Sequence, residues 1–285
     1  MPFARSLFVS PVGLAAVVLT ISSLLTAPLH ADGPFPDANL TAAIKAILKQ
    51  KQIDKPQIDE ADLKTIFFLD ARGKEIKDLT GLEKCTSLAE VKLSNNAIEN
   101  LAPLAELKNI QSLYLSKNQI KDLKPLAGLV KLQYLELNDN QIASLAGLEK
   151  LGEKLGTLHL NGNQIENLEP LSPLGKLHAL YLAGNKVEKL APLAGMKWMS
   201  SLDLTNNKVT DLAPLSAMTE LRYTMLGGNP LQDLAPLVEM AKKDAAGEQR
   251  FAPYWHLYLD ADPLPEPAKK QLEELKAIGV RINKK

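Results

Sequence analysis

Seven asparagines recur along the chain, Asn96, Asn118, Asn140, Asn163, Asn185, Asn207 and Asn229, at spacings of 22, 22, 23, 22, 22 and 22 residues. The chemistry such a series offers is amide hydrogen bonding: each side chain donates and accepts, and can pair backbone groups that a turn would otherwise bury unsatisfied. Residues suited to covalent or metal chemistry are sparse by comparison. The histidines are His30, His159, His178 and His256. His178 lies between two apolar positions and reads as solvated. His159 and His256 stand about four periods apart, too far to share a metal at roughly 5 Å per period. The lone cysteine, Cys85, excludes an internal disulfide and takes an apolar position, so it reads as a small buried residue. Asn138-Asp139-Asn140 lacks the glycine and glutamate of a calcium loop. The nucleophile-elbow, zinc-helix and phosphate-loop motifs are missing as well. The expectation is a chain with no catalytic residue, no metal and no cofactor, and hence not an enzyme.

The elements that position the asparagines follow from what surrounds them. One copy reads Leu88-x-x-Val91-x-Leu93-x-x-Asn96-x-Ile98-x-x-Leu101-x-Pro103-Leu104-x-x-Leu107, and the next repeats it from Ile110 to Leu129. The L-x-L segment has period two, so Val91 and Leu93 point inward while Glu90, Lys92 and Ser94 point out. A strand that short cannot bury its face alone, and stacked copies must share one core. The Pro-Leu step suits a tight helical return on the opposite side. This pattern is similar to the 22-residue class of leucine-rich repeat. The expected fold class is α/β: a leucine-rich-repeat solenoid, a curved horseshoe with parallel strands on its concave face. Residues 66–87 fit as a degenerate first coil in which Lys74 stands at the asparagine position. Residues 152–155 hold one extra residue, and Thr224 replaces a strand leucine.

A solenoid needs a lid at each end. Asp37 or Asn39 can cap a helix with an apolar stripe of Leu40, Ile44, Ile47 and Leu48, and Asp59 a second short helix. Asp-x-Asn-Leu followed by an amphipathic helix, directly before the repeats, resembles the cap of internalin-like bacterial surface proteins. That resemblance covers roughly residues 35–285 and implies an interaction module. No wall-sorting tail or Ig-like module is expected after the repeats, so surface attachment and host-cell invasion are not carried over. At the rear, residues 239–252 are charged and read as an extension of a return helix. Residues 267–278 read as an amphipathic helix ending at Gly279, followed by a short strand. The expected division is a signal peptide at 1–31, a helical N-terminal cap at 32–65, eight repeats at 66–242, and an irregular terminal repeat with a C-terminal cap at 243–285. The signal reading rests on Arg5, an apolar run over 12–25 and a small residue at Ala31.

Composition narrows the class further. Lys+Arg and Asp+Glu both number 33, which argues against nucleic acid as a partner. Leucine contributes 53 residues, while aromatics make up only 5%. Five of the six tyrosines nonetheless fall on two outward strand columns. The candidate partner-binding residues on those columns are Tyr114, Tyr134, Glu136, His159, Tyr181, Asp203, Tyr223, Met225, His256 and Tyr258. Tyrosine and methionine suit interfaces, giving large contact area at little entropic cost. The charges there are mixed in sign, which disfavours a strongly acidic or basic ligand. The leading expectation is an exported, monomeric protein–protein interaction module, secreted or in the periplasm or cell envelope, without membrane insertion of the mature chain. Its partner would be a protein or peptide. Two alternatives are a phosphatase-regulatory-type scaffold, which the 22-residue class also resembles, and a structural envelope protein without a defined ligand.

Overall fold

The computed structural model describes residues 35–283, so the signal reading of residues 1–31 falls outside the described residues. Ten three-residue strands form one parallel sheet in chain order. They are β1 Phe68–Asp70, β2 Glu90–Lys92, β3 Ser112–Tyr114, β4 Tyr134–Glu136, β5 Thr157–His159, β6 Ala179–Tyr181, β7 Ser201–Asp203, β8 Tyr223–Met225, β9 His256–Tyr258 and β10 Arg281–Asn283. Like positions pair with like one repeat on, as Leu113 with Leu135 and Leu135 with Leu158. The result is a leucine-rich-repeat solenoid with its strands on the concave face. Behind them the leucines form one continuous core, with Leu113, Leu115, Leu135 and Leu137 all fully buried. Each such side chain contributes about 1.5–3 kcal/mol through removal from water.

Each ladder asparagine works in two directions. The Asn118 Oδ1 accepts from Ile98 N (3.0 Å) in the coil before, while its Nδ2 donates to Leu93 O (3.0 Å) and Leu115 O (2.9 Å). Asn140, Asn163, Asn185 and Asn207 repeat this arrangement one coil at a time. At the front Asn96 also accepts from Lys74 N, the first coil having no asparagine of its own. Asn96 and Asn229 are half-buried, the five between them buried. Immediately before each ladder residue the backbone is left-handed, with Asn95, Lys117, Asp139, Gly162, Gly184, Asn206 and Gly228 all at positive φ.

The returns are short 3-10 turns such as Ala102–Leu104 and Glu169–Leu171, each with proline in its first turn. Asn100, Asp122, Asn167 and Asp211 start them, and Asp233 does the same for the longer α-helical return at Ala235–Ala245, each accepting from the N–H two residues on at 2.8–3.0 Å. Where Gly-Leu-Glu replaces the Pro-Leu step, Gly147 adopts φ 105° and Glu149 Oε2 accepts from its N–H at 2.7 Å. A Cβ at Gly147 would meet the Lys124 Cα at 2.7 Å, so only glycine fits that turn.

Two helices precede the coils, α1 (Ala38–Gln50) and α2 (Glu60–Leu63). Asp37 caps α1 through Oδ1, while its Oδ2 accepts from Lys77 N and Asp78 N, tying the helix to the first coil. At the rear lie α3 (Ala235–Ala245) and α4 (Glu266–Ile278), the latter ending at left-handed Gly279. Gln271 docks α4 on the last regular coil, accepting from Leu234 N and donating to Asp233. The charged segment does not continue the helix to residue 252 as its sequence suggested. Helix α3 stops at Ala245 because the Asp244 carboxylate gathers the N–H groups of Arg250, Phe251 and Ala252 and turns the chain back. That turn delivers Trp255, fully buried, beneath Thr224.

Candidate functional site

The strand face carries its side chains in two columns, because alternate residues of a strand share a side. In the central column Tyr114, Glu136, His159 and Tyr181 are register partners across β3 to β6. Tyr134 belongs to the adjoining column, opposite Ser112 and Thr157. Its ring nevertheless leans into the central one, above the place that Glu136 leaves without an aromatic. The ring centroids run Tyr114–Tyr134 at 4.9 Å, Tyr134–His159 at 5.3 Å and His159–Tyr181 at 4.3 Å, the last pair stacked within 10°. Four coils thus present one unbroken row of rings, at separations that favour offset or tilted aromatic pairs. Tyr134 Oη donates to Glu136 Oε2 at 3.1 Å.

The electrostatics follow from that packing. Burial, with Glu136 adding to it, pushes the Tyr134 phenol well above its ordinary value. Burial lowers the His159 imidazole, and nearby Glu136 opposes the effect. Ala179, which would face outward by alternation, is buried. Cys85 is fully buried and its thiol is pushed up to about 12 by burial, so it offers no nucleophile at neutral pH. Among the described residues no group of three or more His, Cys, Asp or Glu lies close enough to hold a metal ion. The Asn138 side chain accepts from Asn161 N (2.9 Å), and Asn161 in turn from Ala183 N (2.7 Å), a second and shorter amide ladder.

The ten candidate residues do not form one patch. Tyr223 stacks on His256 at 5.4 Å, with Met225 opposite Tyr258 in register. Between this pair of strands and the first row stands β7, whose Asp203 accepts from Thr205 N and whose Ser201 carries no ring. Sequence reasoning missed the forward extension of the row. Lys92 Nζ lies 5.1 Å from the Phe68 ring and 5.4 Å from that of Tyr114, joining the two by cation–π contact. The signal was present, since Phe68 and Tyr114 flank Lys92 on adjacent strands. A cleft of about 570 Å³ opens beside it, between α1 and the exposed Phe67 and Phe68.

Residues 108–150 match the family model for leucine-rich repeats in two copies. No curated protein sequence matches the chain. Among solved structures, InlJ from Listeria monocytogenes, whose functional domain includes a cysteine ladder, aligns with a TM-score of 0.55 at 22% identity. That alignment spans 79% of this chain and 55% of InlJ. A leucine-rich-repeat protein of Leptospira interrogans gives a TM-score of 0.54 at 23% identity, over 78% of this chain and 55% of that one. Both likenesses are of fold alone. Internalin C2 of Listeria monocytogenes differs in degree: its TM-score is 0.67, with 31% identity over 73% of this chain and 91% of that one. Identity of that extent, carried by the same stack of coils, makes this chain a member of the internalin-like family of bacterial leucine-rich-repeat proteins.

Proposed function

We propose that the chain is an exported, non-enzymatic interaction module that grips a protein or peptide on its concave strand face. The supporting observation is the continuous row Tyr114, Tyr134, His159 and Tyr181. Its rings stand 4.3–5.3 Å apart, His159 and Tyr181 stacked and the other two pairs tilted. The row is half-buried aromatic surface with the Glu136 carboxylate beside it, a wall that suits the mixed apolar and polar surface of a polypeptide. Export is read from the signal-like first 31 residues, and places the protein outside the cell or in the periplasm or envelope. In this reading a helical N-terminal cap at 32–65 and a C-terminal cap at 243–285 close a stack of eight repeats at 66–242.

The test is affinity capture from envelope and culture proteins with the wild-type chain and with Tyr114→Ala, Tyr134→Ala and Tyr181→Ala combined. Capture by the variant should weaken while its melting temperature stays put. Equal capture by both proteins sinks the assignment of this face.

A further inference from the structure

Arginine is rare in this chain, five residues against 28 lysines, yet Arg222, Arg250 and Arg281 meet at one corner beside β8 to β10. Half of the six exposed large apolar side chains among the described residues lie at the same corner: Trp198, Tyr223 and Tyr254. Trp198 and Arg222 lie off the two strand columns, Tyr223 on one of them, Arg250 and Tyr254 in the segment after α3, and Arg281 on the last strand. The folding of the rear segment brings them together.

The three arginines are held differently. Arg250 is neutralised, paired with Glu220 and reaching Glu248 at 3.5 Å. Its carbonyl accepts from Arg222 Nη1 at 2.7 Å, and the Arg222 guanidinium lies over the Tyr254 ring at 5.4 Å. Arg281 Nη1 stands 3.4 Å from His256 Nε2. Among the described residues neither Arg222 nor Arg281 has a carboxylate within ion-pair distance. Both guanidinium groups are therefore positioned without being neutralised, and both wall one cleft of about 380 Å³ with Tyr223, Tyr254 and His256. A second cleft of about 430 Å³ shares Arg222 and continues past Trp198, His178 and Lys176.

We propose that this corner binds an acidic peptide segment, one in which carboxylates alternate with apolar side chains. A guanidinium presents a planar fork of donors that matches a carboxylate, and Arg222 is already oriented by one bond and one stacked ring. The exposed Trp198, Tyr223 and Tyr254 supply the apolar surface such a segment would cover. A uniformly anionic chain suits the corner less, because Glu220 lines the second cleft. The proposal rests on the reading of the strand face as a polypeptide-binding surface and names the partner's chemistry at its rear end. The mixed charges of the strand columns hide this local excess.

The test is selection of random displayed dodecapeptides on the full-length protein, followed by titration of the synthesised winners. Three proteins are compared: wild type, Arg222→Gln with Arg281→Gln, and the triple tyrosine variant. Selected peptides should be rich in Asp and Glu. They should lose about tenfold or more in affinity on the arginine variant, or when their own Asp and Glu become Asn and Gln. Arg222→Lys with Arg281→Lys should recover part of that loss. Acidic peptides indifferent to the arginine variant, or winners without acidic enrichment that respond only to the tyrosine variant, overturn the corner site and leave the wider reading standing. Failure to select any peptide, together with arginine-dependent binding of a heparin-derived oligosaccharide used as a control probe, overturns both.

Discussion

The indole Nε1 of Trp255 donates to Oγ1 of Thr224 across 2.8 Å, both side chains fully buried and 31 residues apart in the chain. Thr224 stands where every other inner strand position from β1 to β9 carries leucine or valine. The hydroxyl is there because the rear segment inserts a tryptophan whose one polar hydrogen needs a partner. Thr224→Val should cost about 1–3 kcal/mol in urea unfolding, since it leaves that N–H unpaired. Adding Trp255→Phe should cost less than the two single changes summed, and strict additivity would refute the coupling.

The ladder predicts a position-dependent loss. Asn140→Ala removes an amide that pairs with backbone groups of two coils, all in a buried setting, and should cost about 1–3 kcal/mol. Asn229→Ala should cost less, because Asn229 is half-buried and water can replace its bonds. Equal denaturant midpoints for wild type and Asn140→Ala would remove the ladder from the account.

Lys117 is the least suited occupant of the left-handed positions, at φ 58° where its counterparts are glycine, asparagine or aspartate. A side chain in that conformation costs about 1–2 kcal/mol, and glycine's greater freedom in the unfolded chain offsets part of the gain. Lys117→Gly should stabilise by roughly 0.5–1 kcal/mol on these grounds. A lowered melting temperature would contradict the strain argument.

His159 gives the strand face a pH signature. Burial holds its imidazole below the ordinary value against the opposing Glu136, so the unfolded chain takes up the proton more readily than the folded one. Stability should therefore decline as pH falls below about 6.5, and His159→Phe should flatten that part of the profile. An NMR titration of the imidazole with its midpoint at or above the free value would exclude the effect.

How far the residues announced this molecule differs from feature to feature. The sheet was legible because each coil repeats the same apolar positions with period two inside the strand and 22 along the chain. The two outward columns followed from the same alternation. The tilt of Tyr134 into the neighbouring column did not, because it depends on the ring area left free above Glu136. The Asp and Asn residues that start the returns recur as regularly as the ladder and were available to be read. The arginine corner was beyond reach. Trp198, Arg222 and Tyr223 sit in regular coils, but what joins Arg250, Tyr254 and Arg281 to them forms only where the repeat breaks, and spacing carries no information once Asp244 has turned the chain back on itself.

Every ladder amide reaches only its own coil and the one before it. Under tension applied between the two ends, a coil whose outer neighbour had gone would be held only by the strand pairing and ladder bonds to the neighbour on its other side. Each release of 22 residues would lengthen the chain by about 70–80 Å, so extension should proceed as evenly spaced, similar events from whichever end yields first.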